Sequence, residues 1–184
     1  MMIKTIKKFS EILSINNGLY VFDIDETFMV FKGITGKWWE KEYNALLGRY
    51  PKEKVDRLMD ETFRKKITKE NPKPTDLIGF KDIEKRAKLL NNHIIFLTAR
   101  TEDYREITMK QLEYIYPGIN YPVYFSSEKG KALKVIIDNS DKTYEEVVFV
   151  DDKDYNINDV LIDNPETRCY LFDYREYIHN FNNL

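Results

Sequence analysis

Cysteine occurs once in 184 residues, at Cys169, so the chain closes no internal disulfide and builds no multi-cysteine metal site; a reducing, cytoplasmic setting is the expectation. Seven glycines and six prolines leave no low-complexity segment, and no internal repeat is visible. Histidine is nearly absent too, and His93 and His179 stand at no metal-ligand spacing. Neither sign of charge dominates: 29 Lys and Arg against 31 Asp and Glu give a formal net charge of -2. That balance supplies no general pull toward nucleic acid or an anionic membrane, so neither is expected as a partner. Long hydrophobic runs are missing as well. Met1 to Ser14 is mildly basic, but lysines and acids interrupt its apolar residues, so it has no signal-peptide core, and nothing approaches a membrane span.

What is present is ordinary for a globular chain with a sizeable core: 42% hydrophobic and 33% charged residues. Ile3 to Ile15 reads as a short amphipathic helix, and Asn16-Asn17-Gly18 as the turn that delivers a first strand to Phe22. Phe28 to Lys37 is irregular. Helices follow around Trp38 to Leu47 and over Lys52 to Lys66, where Val55, Leu58, Met59 and Phe63 recur at helical spacing. Asn71-Pro72-Lys73-Pro74-Thr75-Asp76 is the clearest linker. Beyond it, strands at His93 to Leu97, Pro122 to Phe125, Glu146 to Val150 and Cys169 to Phe172 alternate with helices, which predicts parallel pairing, with the proline-led strand near an edge. The expected fold is therefore α/β, with a mostly parallel five-stranded sheet. Residues 1–27 and 77–184 form its core domain, and 28–76 a small, mainly helical cap inserted over the first strand's end.

The chemistry is concentrated where strands stop. Gly18 to Phe22 ends in two acids, Asp23 and Asp25, flanking a single Ile24. Alternation puts both carboxylates on one face, and paired like charges are costly unless a cation sits between them. In an open α/β sheet the carboxyl ends of the strands border the ligand crevice. Thr98 ends the second strand, Lys129 follows the third, and Asp151 and Asp152 end the fourth. Phosphoryl transfer through an aspartyl-phosphate needs this set of parts. Asp23 is the candidate nucleophile, Asp25 the candidate acid and base, and Thr98 and Lys129 the donors to the phosphoryl oxygens. Mg2+ suits two carboxylates plus a backbone carbonyl, which assigns Asp23, the carbonyl of Asp25 and Asp151 as ligands.

The motif Asp23-Ile24-Asp25-Glu26-Thr27 after an apolar strand resembles the first motif of the haloacid dehalogenase (HAD) superfamily. Thr98 in Ile95-Phe96-Leu97-Thr98-Ala99-Arg100 resembles its second, Glu128-Lys129-Gly130-Lys131 its third, and Val148-Phe149-Val150-Asp151-Asp152 its fourth. The phrases Ile107 to Leu112 and Asp151 to Asn156 are similar to a HAD-like subfamily catalogued as a domain of unknown function. The resemblance implies a Rossmann-like three-layer fold whose first strand is central with the fourth beside it, and a Mg-dependent phosphatase acting through an aspartyl-phosphate. The second acid, Asp25, favours phosphatase or phosphomutase chemistry over dehalogenase or ATPase chemistry, with phosphomutase ranked lower because it needs a lid that excludes water. The adjacent pair Asp151-Asp152 departs from the family's acid, spacer, acid pattern, leaving Asp152 either behind the metal ligands or as an alternative ligand. Lys131 competes with Lys129, and Arg100 either reaches phosphate or makes a salt bridge. Trp38, Trp39 and Tyr43 read either as the core of the cap or as a substrate platform. A phosphoprotein and a small phosphorylated metabolite are both open as substrates. The rival readings are a silent interaction module of the same fold and a nucleic-acid 3′-phosphatase.

Overall fold

The computed structural model describes residues 3–182; Met1 and Met2, where the basic N-terminal stretch begins, lie outside them, as do Asn183 and Leu184. In place of the expected N-terminal helix, Lys4–Ile6 is a strand, β1, followed by a single 3-10 turn at Phe9–Glu11. Ile6, Phe9, Ile12 and Ile15 recur every third residue and are all buried. An extended segment and one tight turn satisfy that spacing as well as a helix does. Strand β2 (Gly18–Phe22) is buried at every position, and each of its large apolar side chains contributes roughly 1.5–3 kcal/mol by leaving water.

After β2, the short strand β3 (Met29–Val30) leads to helices α1 (Gly36–Leu47) and α2 (Lys52–Lys69), and β4 (Lys73–Pro74) returns antiparallel to β3. The stretch expected to be a plain linker is therefore partly strand. Pro74 is tolerated because a two-stranded ribbon is all edge. Asp76 accepts from the backbone N–H of Gly79 (3.0 Å) and so caps α3 (Leu77–Leu89). Its other oxygen accepts from Phe9 N–H (2.7 Å), which ties the N-terminal turn to that helix. The chain continues through β5 (His93–Thr98), α4 (Arg105–Ile115), β6 (Val123–Phe125), α5 (Lys129–Asp138), β7 (Glu146–Asp151), α6 (Asp154–Asp163), β8 (Arg168–Phe172) and α7 (Arg175–Asn182).

The main sheet has six strands rather than the expected five, in the order β1-β8-β7-β2-β5-β6, and every pairing is parallel. The added strand is β1, whose three residues pair with Tyr170, Leu171 and Phe172. Three residues are too few for a legible alternation. β2 lies between β5 and β7, and β6 is at the edge.

Alternation along β2 divides the interior into two layers. Tyr20 and Phe22 face a large aromatic cluster with Phe9, Phe28, Phe80 and Phe96, built under α3 and α4. Leu19 and Val21 face Leu133, Phe149, Ile157 and Val160, built under α5 and α6. The result is a three-layer α/β/α fold. From β2 the chain moves outward to β5 and β6, then crosses back to β7 on β2's other side. That reversal opens a crevice at the carboxyl ends of β2 and β7, the usual ligand position in such sheets. Among the described residues no helix is long and apolar enough to cross a membrane.

Candidate active site

β2 does not stop cleanly at Phe22. The N–H of Asp23 donates to Val150 O (2.9 Å), so the ladder with β7 runs one residue further and sets Asp23 level with Asp151. Both carboxylates take the face of Val21 and Phe149, toward α5 and α6. Ile24 is buried on the opposite face, and its carbonyl accepts from both Phe28 and Met29 N–H (2.9 Å each), closing a tight turn. Glu26 lies in that turn at φ 62°, a left-handed conformation that costs a non-glycine residue free energy.

Lys129, the first residue of α5, comes between the two acids. Its ammonium donates to Asp23 Oδ1 (2.5 Å) and Asp151 Oδ2 (2.6 Å), and its side chain is 0% exposed. The next residue explains how the lysine reaches that depth. A Cβ on Gly130 would stand 2.3 Å from Asp159 O, so only glycine lets α5 seat this closely on α6. Gly130 N–H also donates to Asp159 Oδ2 (2.8 Å). Lys131, the rival lysine, is exposed and pairs with Glu128. Asp151 accepts further from Lys153 N–H (2.8 Å) and Asn156 Nδ2 (3.0 Å).

A second acid-lysine group adjoins the first. Lys153 Nζ donates to Asp152 Oδ2 and Glu26 Oε2, each at 2.5 Å. The Glu26 carboxylate also accepts from Gly36 N–H (3.0 Å) at the N-terminus of α1, where the helix dipole favours an anion. A Cβ on Gly36 would meet Lys153 Nζ at 2.7 Å. Sequence reasoning missed Glu26 and Lys153. The available signal was an acid inside the first motif and a lysine directly after the fourth.

These residues carry an imbalance. With every group ionised, four carboxylates (Asp23, Asp151, Asp152, Glu26) facing two ammoniums (Lys129, Lys153) would leave an excess of two negative charges, which protons or a cation must offset. Burial, with Asp151 and Asp25 nearby, pushes the Asp23 carboxyl up from its ordinary range against the pull of Lys129. Burial and the surrounding acids do the same to Asp152 against Lys153. Burial pulls Lys129 down, but Asp151 and Asp23 together outweigh it and hold the ammonium above its usual value. Ligand oxygens of Asp23, Asp151 and Asp152 lie within 4.8 Å of one another. Hard oxygen donors, that spacing and an excess of two negative charges fit a divalent cation.

The other side of the β2 end is balanced. Arg100, just past β5, takes Asp25 with both arms, Nε to Oδ2 (2.8 Å) and Nη2 to Oδ1 (2.7 Å). Its Nη1 donates to Thr108 Oγ1 (2.9 Å) and Gln111 Oε1 (2.8 Å) on α4, and Gln111 Nε2 donates to Ile67 O (2.8 Å) on α2. Of the two readings of Arg100, the structure shows the salt bridge. Thr98 is buried, its hydroxyl accepting from Arg100 N–H (3.2 Å). The structure thus joins Asp23, Lys129 and Asp151, with Asp152 adjoining, whereas Asp25, expected by alternation on the face of Asp23, is held with Thr98 on Arg100's side because the chain turns at Ile24. Tyr43 donates to Asp56 (2.7 Å) between α1 and α2, Trp38 packs on the aromatic core, and Trp39 borders a cavity beside Asp25. His93 hydrogen-bonds Tyr144 (2.9 Å) outside the site.

Fold and site together define a doubly wound α/β protein with a buried, acid-rich centre at its topological switch point. A family described as "Protein of unknown function (DUF2608)" matches residues 123–177, which include Lys129, Asp151 and Asp152. No curated protein matches the chain. Among solved structures, the class C acid phosphatase from Bacillus anthracis with tungstate bound is similar at 15% identity and a TM-score of 0.44, covering 89% of this chain and 69% of that one. A second structure of the class C acid phosphatase from Bacillus anthracis is similar at 14% identity, with the same TM-score and coverage. Likeness at this level transfers neither substrate nor mechanism.

Proposed function

We propose that the chain is a phosphomonoester hydrolase of the HAD type that works with a divalent cation, Mg2+ by preference. The observation that carries the reading is Lys129, fully buried and bonded to both Asp23 and Asp151 at the crevice. Buried ion clusters of this kind stabilise a fold poorly compared with apolar packing. A phosphoryl group, with charge spread over its oxygens, gives such a cluster a use.

In the proposed reaction a carboxylate oxygen of Asp23 attacks phosphorus as the bond from phosphorus to the ester oxygen breaks. The departing oxygen keeps the electron pair and takes a proton from Asp25, which gains that proton from solvent before the step, once Arg100 has released one of its oxygens. Asp25, now ionised, takes a proton from water as the water oxygen attacks the aspartyl-phosphate. The bond from phosphorus to Asp23 breaks, phosphate leaves, and both carboxyls return to their starting states. Lys129 and Thr98 hold the phosphoryl oxygens. Asp23, Asp151, the Asp25 carbonyl and, by its placement, Asp152 are the groups that would hold Mg2+, which supplies the charge that offsets carboxylate-phosphate repulsion. Helices α1 and α2, within residues 28–76, act as the lid.

Hydrolysis of an aryl phosphate by purified protein, with Mg2+ and with chelator, beside Asp23→Asn, tests this. Turnover that needs the cation and disappears in Asp23→Asn is expected. Equal turnover in wild type and Asp23→Asn would overturn the mechanism.

A further inference from the structure

Resting on the hydrolase reading, we infer that the cavity beside Asp25 receives an aromatic leaving group, so that the substrate is an aryl phosphomonoester whose ring carries the phosphate directly. The cavity is about 690 Å³, within the range of small-molecule sites. Asp25 and Arg100 border it, and Trp39, Phe63, Tyr104, Tyr155 and Tyr174 line it. These rings come from α1, α2, the 3-10 turn before α4, α6 and the segment after β8. Five aromatic side chains from five separate segments converge on one space, which a single amphipathic stripe would not produce.

Trp39 and Phe63 meet edge to face with centroids 5.6 Å apart, and Phe63 and Tyr104 lie 6.0 Å apart. Rings arranged this way present both edges and faces to a further ring. Several of the polar groups around them are already engaged, while Lys37 and Glu40, also part of the lining, are exposed. Arg100 is committed to Asp25, Thr108 and Gln111, Lys153 to Glu26 and Asp152, and Asp60 to the Tyr104 hydroxyl (2.6 Å). A flat apolar ring needs no polar partner among these five rings, whereas a sugar needs one for each hydroxyl.

Position completes the argument. The departing oxygen sits at Asp25, which is itself part of the cavity wall, so whatever that oxygen carries enters among the rings at once. A ring bonded directly to the oxygen fits that path. A nucleotide, with a ribose between phosphate and base, places polar hydroxyls there instead. Both Asp25 oxygens accept from Arg100, and a phenolate, whose conjugate acid has a pKa of about 10, departs with less help from a proton than an alkoxide does.

The test compares kcat/KM for phenyl phosphate, a phosphotyrosine peptide, glycerol phosphate and a 5′-nucleotide in wild type, Trp39→Ala and Tyr155→Ala. Tyr155 is 64% exposed, so its replacement leaves the fold intact if Trp39→Ala does not. The ratio of aryl to glycerol ester is the readout, because intrinsic leaving-group reactivity cancels between variants. A fall in that ratio of about tenfold in Trp39→Ala, and a smaller fall in Tyr155→Ala, is expected. An unchanged ratio, or a loss confined to the nucleotide, overturns the inference. Activity on the peptide equal to that on phenyl phosphate points to a phosphotyrosine source, and activity on phenyl phosphate alone to a small aryl ester; either supports the aromatic site. If no ester turns over, the hydrolase reading fails, and the cavity is judged by binding. Phenylphosphonate then quenches tryptophan fluorescence at lower concentration than methylphosphonate, with the difference lost in Trp39→Ala; equal binding overturns the inference.

Discussion

Two buried cations flank the end of β2, and they face different problems. Lys129, on the α5–α6 side, is shared by two carboxylates and stands next to a further group in which acids again outnumber the lysine. Arg100, on the side of α2 and α4, meets a single carboxylate with matched geometry, and its remaining arm is satisfied by Thr108 and Gln111. The first side is short of positive charge and the second is not. Asp25 also keeps 30% of its side chain exposed, whereas Asp151 keeps none. One side gathers acids around a shared lysine, as the proposed cation site requires, and the other holds a side chain in place and ties it through Gln111 to α2.

The largest effect should come from Asp23, the proposed nucleophile. Asp23→Asn is expected to reduce kcat by about 10⁴-fold or more, measured by phosphate release at saturating substrate. Next, Lys129→Met leaves Asp23 and Asp151 without compensation, and in metal-free protein should cost about 3–5 kcal/mol by urea unfolding. If it costs no more than Arg100→Met, the contrast between the two sides collapses. Mg2+ at about a hundred times its dissociation constant should stabilise the wild type by roughly 2.7 kcal/mol, read as a rise in melting temperature.

That stabilisation should depend on pH in a defined direction. Asp23 and Asp152 hold protons in the fold at pH values where the unfolded chain has released them. At these two positions the folded state therefore binds more protons, and their contribution to metal-free stability should fall as pH rises above about 4. A cation displaces those protons, so the gap between melting curves with Mg2+ and with chelator should widen with pH. A constant gap would place the bound cation away from these acids. The smallest effect belongs to Arg100→Met, at about 1–3 kcal/mol. Asp25 regains water there, while Thr108 and Gln111 each lose a bond.

Much of this contrast was written in the sequence on one side only. The four inner strands were legible because each is a continuous apolar run, and Asp23, Thr98 and Asp151 because each run ends in a polar residue. Lys129 was legible, and preferred over Lys131, as the first lysine past a strand-to-helix turn, but the depth it reaches depends on Gly130, whose close seat on α6 is a packing fact. The pairing of Glu26 with Lys153 joins residues 127 positions apart, and no local pattern encodes it. Arg100 left two readings open because a guanidinium serves phosphate and carboxylate equally well. β1 was misread because three residues carry too little periodicity, and β4 because Pro74 suggests a break where the ribbon simply has no inner strand.

The small ribbon of β3 and β4 has a further consequence. Met29 pairs with Pro74 and Val30 with Lys73, and Thr75 hydrogen-bonds back to Thr27 O and Phe28 O. The chain thus departs from the sheet and returns to it at one clasped point. Everything between is a detour that can lengthen, shorten or be exchanged while the register of β2 stays fixed, because loop closure costs little more for a longer excursion than for a shorter one. The residues that line the aromatic cavity from α1 and α2 lie on that detour, whereas Asp23, Lys129 and Asp151 do not. Replacing that one contiguous piece of chain would therefore change the Trp39 and Phe63 walls of the cavity while leaving Tyr104, Tyr155 and Tyr174 and the Asp23–Lys129–Asp151 cluster in place.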